Sequence, residues 1–204
     1  MWAASDWHVS PRIDYCGEGA TDAAAARRLI VSVGGEPGID FTSRKAPRGK
    51  QGLDRRLPGL VISATFAAPV LVLRDLDQDA PCAGALVQRL LQGSAPALLL
   101  RIAVRAVESW MMADRAALAD ALGVKESQIT PEPESLSDPK RSLQAIGQRA
   151  RKQAVRSAFE GTWQQQAGWS IAFIQEVWSP KRAAKGGGAP SLNRAIARLE
   201  RVVA

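Results

Sequence analysis

Residues 70–81 read VLVLRDLDQDAP. Val70, Leu71, Val72 and Leu73 form an unbroken aliphatic run, which suits a strand in a parallel sheet covered on both faces. Arg74 follows, and then Asp75, Asp77 and Asp79 stand at alternate positions. Carboxylates this close repel one another, and desolvating any of them is costly. A bound cation resolves that conflict, and so does plain exposure to water. If the chain stays extended through Leu76, the side chains of Asp75 and Asp77 point to the same side. In an open parallel sheet, ligands collect in the crevice at the carboxyl ends of the strands.

Working outward, "RIDYCGEG" (Arg12 to Gly19) reads as a short strand followed by a glycine-flanked glutamate, Glu18. "TDAAAARRLIVSVGG" reads as a helix with Thr21 as its N-cap, Asp22 favouring its positive end and Gly34-Gly35 as its stop. "GIDFTS" is expected to be a second strand, and "RKAPRGKQG" a basic loop. A helix over Leu53 to Ala67 follows, with Pro58 against it, then the strand at Val70 to Leu73. "CAGALVQRLLQG" reads as a helix and "PALLLRIAV" as a strand. This β-α-β-α-β-α-β alternation predicts an α/β fold, an open parallel sheet with helices on both faces. After Val104 the pattern turns helical: "VESWMMAD", "RAALADALG", "PKRSLQAIGQRARKQAVRSAF", "WSIAFIQEVW" and "SLNRAIARLERVV". The expected organisation is a leader over 1–11, an α/β core over 12–107 and a mostly helical extension over 108–204 packed on the core. In the last helix, Leu192, Ile196, Leu199 and Val203 share one apolar face.

If the first and third strands are neighbours, Glu18, Asp75 and Asp77 meet at one crevice. Oxygen ligands of this kind suit hard divalent cations, magnesium above all. Glu108, after the fourth strand, is a weaker candidate to extend the site. Its alternative role is an acid in the first turn of a helix. Competing motifs fail on particular residues. An EF-hand loop needs glycine sixth and an acid twelfth, where this chain has Ala80 and Leu86. "GGGAPS" lacks the Lys-Ser/Thr of a phosphate loop. A dehalogenase-type phosphatase carries its D-x-D near the chain start and continues into a small residue and threonine, unlike "DLDQDAP".

The 204 residues are 46% apolar, ample for a core, and carry a net charge of +7. A strongly basic balance favours an anionic partner, nucleic acid first. Two basic groups are candidate phosphate tracks. One is Arg44, Lys45, Arg48, Lys50, Arg55 and Arg56; the other is Lys140, Arg141, Arg149, Arg151, Lys152 and Arg156. Lys50, Arg55, Lys140 and Arg141 are the nucleic-acid candidates drawn from them. Asp114 and Asp138 read as helix N-caps, the latter followed by Pro139. The sole histidine, His8, lies in a polar leader, which disfavours a Ser-His-Asp triad or a histidine-zinc site. Cys16 and Cys82 are expected as reduced thiols in or near the core of a cytoplasmic protein. Trp110, Trp169 and Trp178 are expected in the core, and no segment is expected to cross a membrane.

"CGEGATD" paired with the downstream "LVLRDLD" resembles the Toprim domain of topoisomerases, primases, recombination proteins and OLD-family nucleases. That domain has a glutamate-glycine turn after its first strand and a D-x-D after a later one. Glu18, Asp75 and Asp77 fall on the pattern. The helical half, with "AVRAVESWMMADRAALADALGV", "PESLSDPKRSL" and "APSLNRAIARL", is similar to a bacterial Toprim-like family that often accompanies ATPases in presumed phage-defence loci. The resemblance implies magnesium-dependent phosphodiester chemistry, with manganese as a substitute ion. Glu18 would do acid-base work, and Asp75 and Asp77 would hold metal. Tyr15, the sole tyrosine, lies inside the first strand, which disfavours covalent strand passage and leaves hydrolysis. The implied alternative is a non-catalytic regulatory module acting with a partner ATPase.

Overall fold

A computed structural model describes residues 10–42, 49–93 and 95–204. Its centre is β3 (Val70–Asp75), all six residues of which are buried. The strand therefore runs two residues beyond the expected end at Leu73. Arg74 pairs with Ile102 and Asp75 with Ala103, so a guanidinium and a carboxylate are carried inside the sheet.

The remaining strands are β1 (Arg12–Cys16), β2 (Glu36–Asp40) and β4 (Leu98–Ala103). All pairings are parallel and the order is β2-β1-β3-β4. The chain first steps from β1 to one side, then returns past β1 to build the other side. That reversal creates a switch point between β1 and β3. Right-handed crossovers then require the connecting helices to change face. Accordingly α1 (Ala20–Ser32) covers one face, while α2 (Gly49–Phe66) and α3 (Ala83–Leu90) cover the other. Strand alternation does the sorting: Ile13, Tyr15, Leu71, Leu73 and Leu99 face α1, and Cys16, Val70, Val72, Leu98 and Leu100 face α2 and α3. Each such buried aliphatic side chain contributes about 1.5–3 kcal/mol.

Seven helices follow: α4 (Val107–Ala113), α5 (Arg115–Leu122), α6 (Pro139–Gly147), α7 (Gln153–Glu160), α8 (Trp163–Glu176), α9 (Pro180–Lys185) and α10 (Pro190–Val203). They extend the α1 face: α8 lies on α1, and α10 on β4. One continuous apolar cluster links Ile13 and Leu71 of the sheet with Trp110, Trp178 and Leu192. Trp178 Nε1 donates to the Trp110 carbonyl at 3.0 Å, and Trp110 Nε1 to Ser191 Oγ at 2.7 Å. Trp110 and Trp178 are core as expected, Trp169 is partly buried against them, and Leu192, Ile196 and Leu199 are buried as one face of α10.

Several local expectations give way. Gly19, not Thr21, is the N-cap of α1. The second strand begins at Glu36 rather than at Gly38, and α2 begins at Gly49 and runs through Pro58. The long basic helix breaks after Gly147, and the missing side chain there lets the Phe159 ring of α7 pack directly on the α6 backbone. Asp114 is the N-cap residue of α5 as expected, but its side chain makes no capping hydrogen bond. Its carboxylate instead takes Arg182 Nε and Nη2 at 2.5 and 2.7 Å and the Ser179 N–H at 2.9 Å. Cys16 is buried, but Cys82 is exposed and accepts the Ala85 N–H at the start of α3. Asp138 caps α6 through the Arg141 N–H, with Pro139 first in the helix. Among the described residues, no helix is long and apolar enough to cross a membrane. His8, Arg44, Lys45 and Arg48 lie outside the described residues.

Candidate functional site

Glu18 leaves β1 in the turn Gly17-Glu18-Gly19. A Cβ on Gly17 would come within 2.5 Å of Asp22 Cβ and 2.9 Å of the Ala23 nitrogen, so glycine alone lets the turn lie this close to α1. Asp22 Oδ2 accepts the Gly19 N–H at 3.0 Å, which brings a buried carboxylate back under the turn. Because β1 and β3 are neighbours, Glu18 reaches the end of β3. Its Oε1 accepts the Asp75 N–H at 3.0 Å and Arg74 Nη1 at 3.1 Å.

Asp75 in turn reaches past β4. Its Oδ1 accepts the Val107 N–H at 3.0 Å, and its Oδ2 takes the Lys140 ammonium at 2.7 Å. Glu108 is the next residue of α4, and its Oε2 is buried with no hydrogen-bond partner. Glu18, Asp22, Asp75 and Glu108 all line one cavity of about 1070 Å3, together with Lys140. The crevice at the switch point therefore holds Glu18 and Asp75 as expected, with Glu108 beside them.

The electrostatics follow from burial and crowding. Burial, reinforced by the Asp75 charge, pushes Glu18 up to about 7. The same causes in the same order push Glu108 up to about 7. Asp22 stands well above the usual carboxylate range, first through burial and then through the charges of Asp75, Glu18 and Glu108. Asp75 is also raised by burial, although Lys140 pulls against it. Burial works against the Lys140 ammonium, but Asp75 and Glu108 outweigh it and hold the lysine above its ordinary value. The Lys140 side chain remains 51% exposed, so its ammonium pairs with Asp75 at the border between the cavity and solvent.

Asp77 departs from the expected arrangement. The strand ends at Asp75, and Asp77 takes a left-handed backbone with φ 45°. Aspartate tolerates that region better than most residues. The turn brings Asp77 to Lys50, whose Nζ lies 3.3 Å from its Oδ2, while its charge still acts on Glu18, Asp75 and Glu108. Asp77 lines a smaller recess of about 390 Å3 with Lys50, Arg105 and Asp138, and Lys140 borders both spaces. Among the described residues, no three carboxylate, histidine or cysteine side chains stand close enough to share one metal ion.

Arg74 lies beneath the edge, its side chain 2% exposed. Its Nε and Nη2 bind Asp54 at 3.0 and 3.3 Å, and Nη2 also binds Asp79 Oδ2 at 2.6 Å. Asp79 further accepts from Lys50 at 2.9 Å. Arg55 is exposed on α2 and lines neither space, whereas Arg141 is exposed and lines the large cavity. The sequence reading missed Asp22 as a member of the acid group and gave Asp54 no role. Asp22 stands three residues after the cap Gly19 and reaches back to its N–H, a one-way contact because glycine has no side chain to return it.

Four carboxylates line the cavity and one of their oxygens is buried without a hydrogen-bond partner, but no three of them stand close enough to share one ion, so a cation there would draw on two at most. Compared with known proteins, the chain matches no family model, no curated protein and no solved structure.

Proposed function

We propose that the protein is a Toprim-like, magnesium-dependent phosphodiesterase acting on nucleic acid, that is, a nuclease. One observation carries this reading. At the switch point of a parallel sheet, Glu18, Asp22, Asp75 and Glu108 face a cavity, with Lys140 paired to Asp75 and Arg74 to Glu18. Asp75 and Glu108 would hold the magnesium or manganese ion, with Asp22 adding negative charge behind them. Such an ion neutralises phosphate oxygens and acidifies a water when bound. Glu18, titrating near 7, can accept a proton at neutral pH. Arg74 fixes the Glu18 carboxylate from below, so the proton acceptor does not drift. Lys140 can turn its ammonium from Asp75 to a phosphate oxygen in the cavity. Asp77 serves the neighbouring recess, where it holds Lys50.

The test is cleavage of single- and double-stranded DNA, RNA and transfer RNA with magnesium, with manganese and with chelator. Glu18→Gln and Asp75→Asn should keep the circular dichroism of the parent and lose cleavage. Cleavage that persists in chelator, or in both variants, sinks the proposal.

The Lys140–Asp75 pair favours a second reading. An ammonium already placed at 2.7 Å against the central acid resembles a permanent substitute for a metal. On that reading the fold is a binding module working with a partner ATPase, in phage defence or DNA processing. Glu18→Gln would then leave partner binding intact.

A further inference from the structure

Four tryptophans lie among the described residues, and packing accounts for three. Trp110 and Trp178 are fully buried, and Trp169 stands between Phe159 and Phe173 with ring centroids 4.9 and 5.4 Å away. Trp163 is different. It is the first residue of α8, is 73% exposed, and lines the large cavity. An indole left in water at the mouth of a charged cavity gains nothing for the fold.

Its neighbours suggest what it awaits. Gln166 lines the same cavity one turn along α8, and Gln144 lines it from α6. Arg27 of α1 and Arg141 of α6 are exposed on its wall, and neither guanidinium makes an ion pair among the described residues. An aromatic plane accepts the face of an unstacked base. Side-chain amides offer donor and acceptor to its edge, and free guanidinium groups meet phosphate. A cavity of about 1070 Å3 has the capacity of a small-ligand site, enough to receive a nucleotide or two. In a duplex the base faces are already covered by their neighbours.

Building on the phosphodiesterase reading, we infer that the cavity takes an unpaired nucleic-acid strand. One base stacks on Trp163, and the backbone passes the acids and Lys140 toward the recess of Lys50 and Arg105. The substrate class is therefore single-stranded nucleic acid, including frayed ends and loops, rather than intact duplex.

Binding in chelator tests this without any cleavage. Fluorescence anisotropy would compare a labelled oligothymidylate, a labelled oligouridylate and a labelled blunt duplex on the parent protein, Trp163→Ala and Trp163→Phe. The expected result is tighter binding of the single strands, a loss of about tenfold in Trp163→Ala, and near-parent binding in Trp163→Phe. Equal or tighter duplex binding overturns the inference, as does parent-like single-strand binding by Trp163→Ala with unchanged circular dichroism. The two proposals fail separately. A Trp163 effect alongside metal-dependent cleavage that survives in Asp75→Asn keeps the strand site and removes the acids' assigned role. An Asp75-dependent nuclease indifferent to Trp163 does the reverse.

Discussion

Two clusters of charge share the carboxyl edge of the sheet and differ in their balance. Beneath the end of β3, Arg74 and Lys50 face Asp54, Asp77 and Asp79 through direct ion pairs. Above it, Lys140 pairs with Asp75 and Arg74 reaches Glu18 from below, while Asp22 and Glu108 crowd the same cavity with no ion pair among the described residues. The difference shows in the protons. Asp79 is held below the ordinary carboxylate range, first by Lys50 and then by Arg74. Glu18 and Glu108 are pushed up to about 7. A cluster with its counter-charges built in has little need of a ligand. A cluster short of them must take up protons, shed stability, or bind a cation.

Removing the built-in charge should have the largest consequence. Arg74→Leu would leave Asp54, Asp79 and Glu18 without their shared partner, and the loss should be about 3–5 kcal/mol in denaturant unfolding. A change below 1 kcal/mol would mean that the lower cluster is not a structural knot. Next comes the upper cluster. Asp75→Asn should reduce metal-dependent cleavage by about a hundredfold or more while stability holds or rises, since it relieves acid crowding. Magnesium or manganese at about a hundred times its dissociation constant should stabilise the parent by about 2.7 kcal/mol. The melting temperature reads this directly, and Asp75→Asn should abolish most of the gain.

The proton balance gives a prediction whose sign can be worked out. Glu18 and Glu108 each rise from 4.5 to about 7 on folding, so the folded state binds more protons than the unfolded state in that window. Stability should therefore fall as pH rises from about 4.5 to about 7 in chelator, and the slope should flatten when the ion is added. Unfolding midpoints across that range measure it; a rise in stability over the window contradicts the crowding. The smallest effect belongs to the lower cluster's exposed rim. Lys50→Met should change stability by less than about 1 kcal/mol, because its side chain is 40% exposed and its ion pairs are screened by water.

The same contrast explains what was legible in the sequence. Glu18 and Asp75 could be placed because strand ends follow from short-range patterns, and an α/β alternation makes the first and third strands plausible neighbours. Glu108 followed from the end of β4 by the same logic. The contact of Asp77 with Lys50 was not legible, because the chain does not stay extended there: it turns through φ 45° at Asp77, which no periodicity encodes. Asp22 read as a helix-dipole acid, since its burial comes from a glycine turn folding back on it. Lys140 was a candidate phosphate contact, but its approach to Asp75 depends on where α6 docks, 65 residues further along the chain. Arg74 was visible as an anomaly beside the aspartates. Its neutralising partners Asp54 and Asp79 come from α2 and from the loop after β3, and only the tertiary fold brings them together.

Glu18 grips the amide that closes β3, and Asp75 grips the amide that opens α4 beyond β4. The acids thus act as staples between segments of backbone, and the carboxylates of the cavity inherit their spacing from the sheet itself. A graft that moved these loops to a foreign scaffold would transport the side chains but not the anchorage. Conversely, a substitution deep in the strand stack that altered sheet twist should shift the spacing of these carboxylates from a distance, with no change to any residue that lines the cavity.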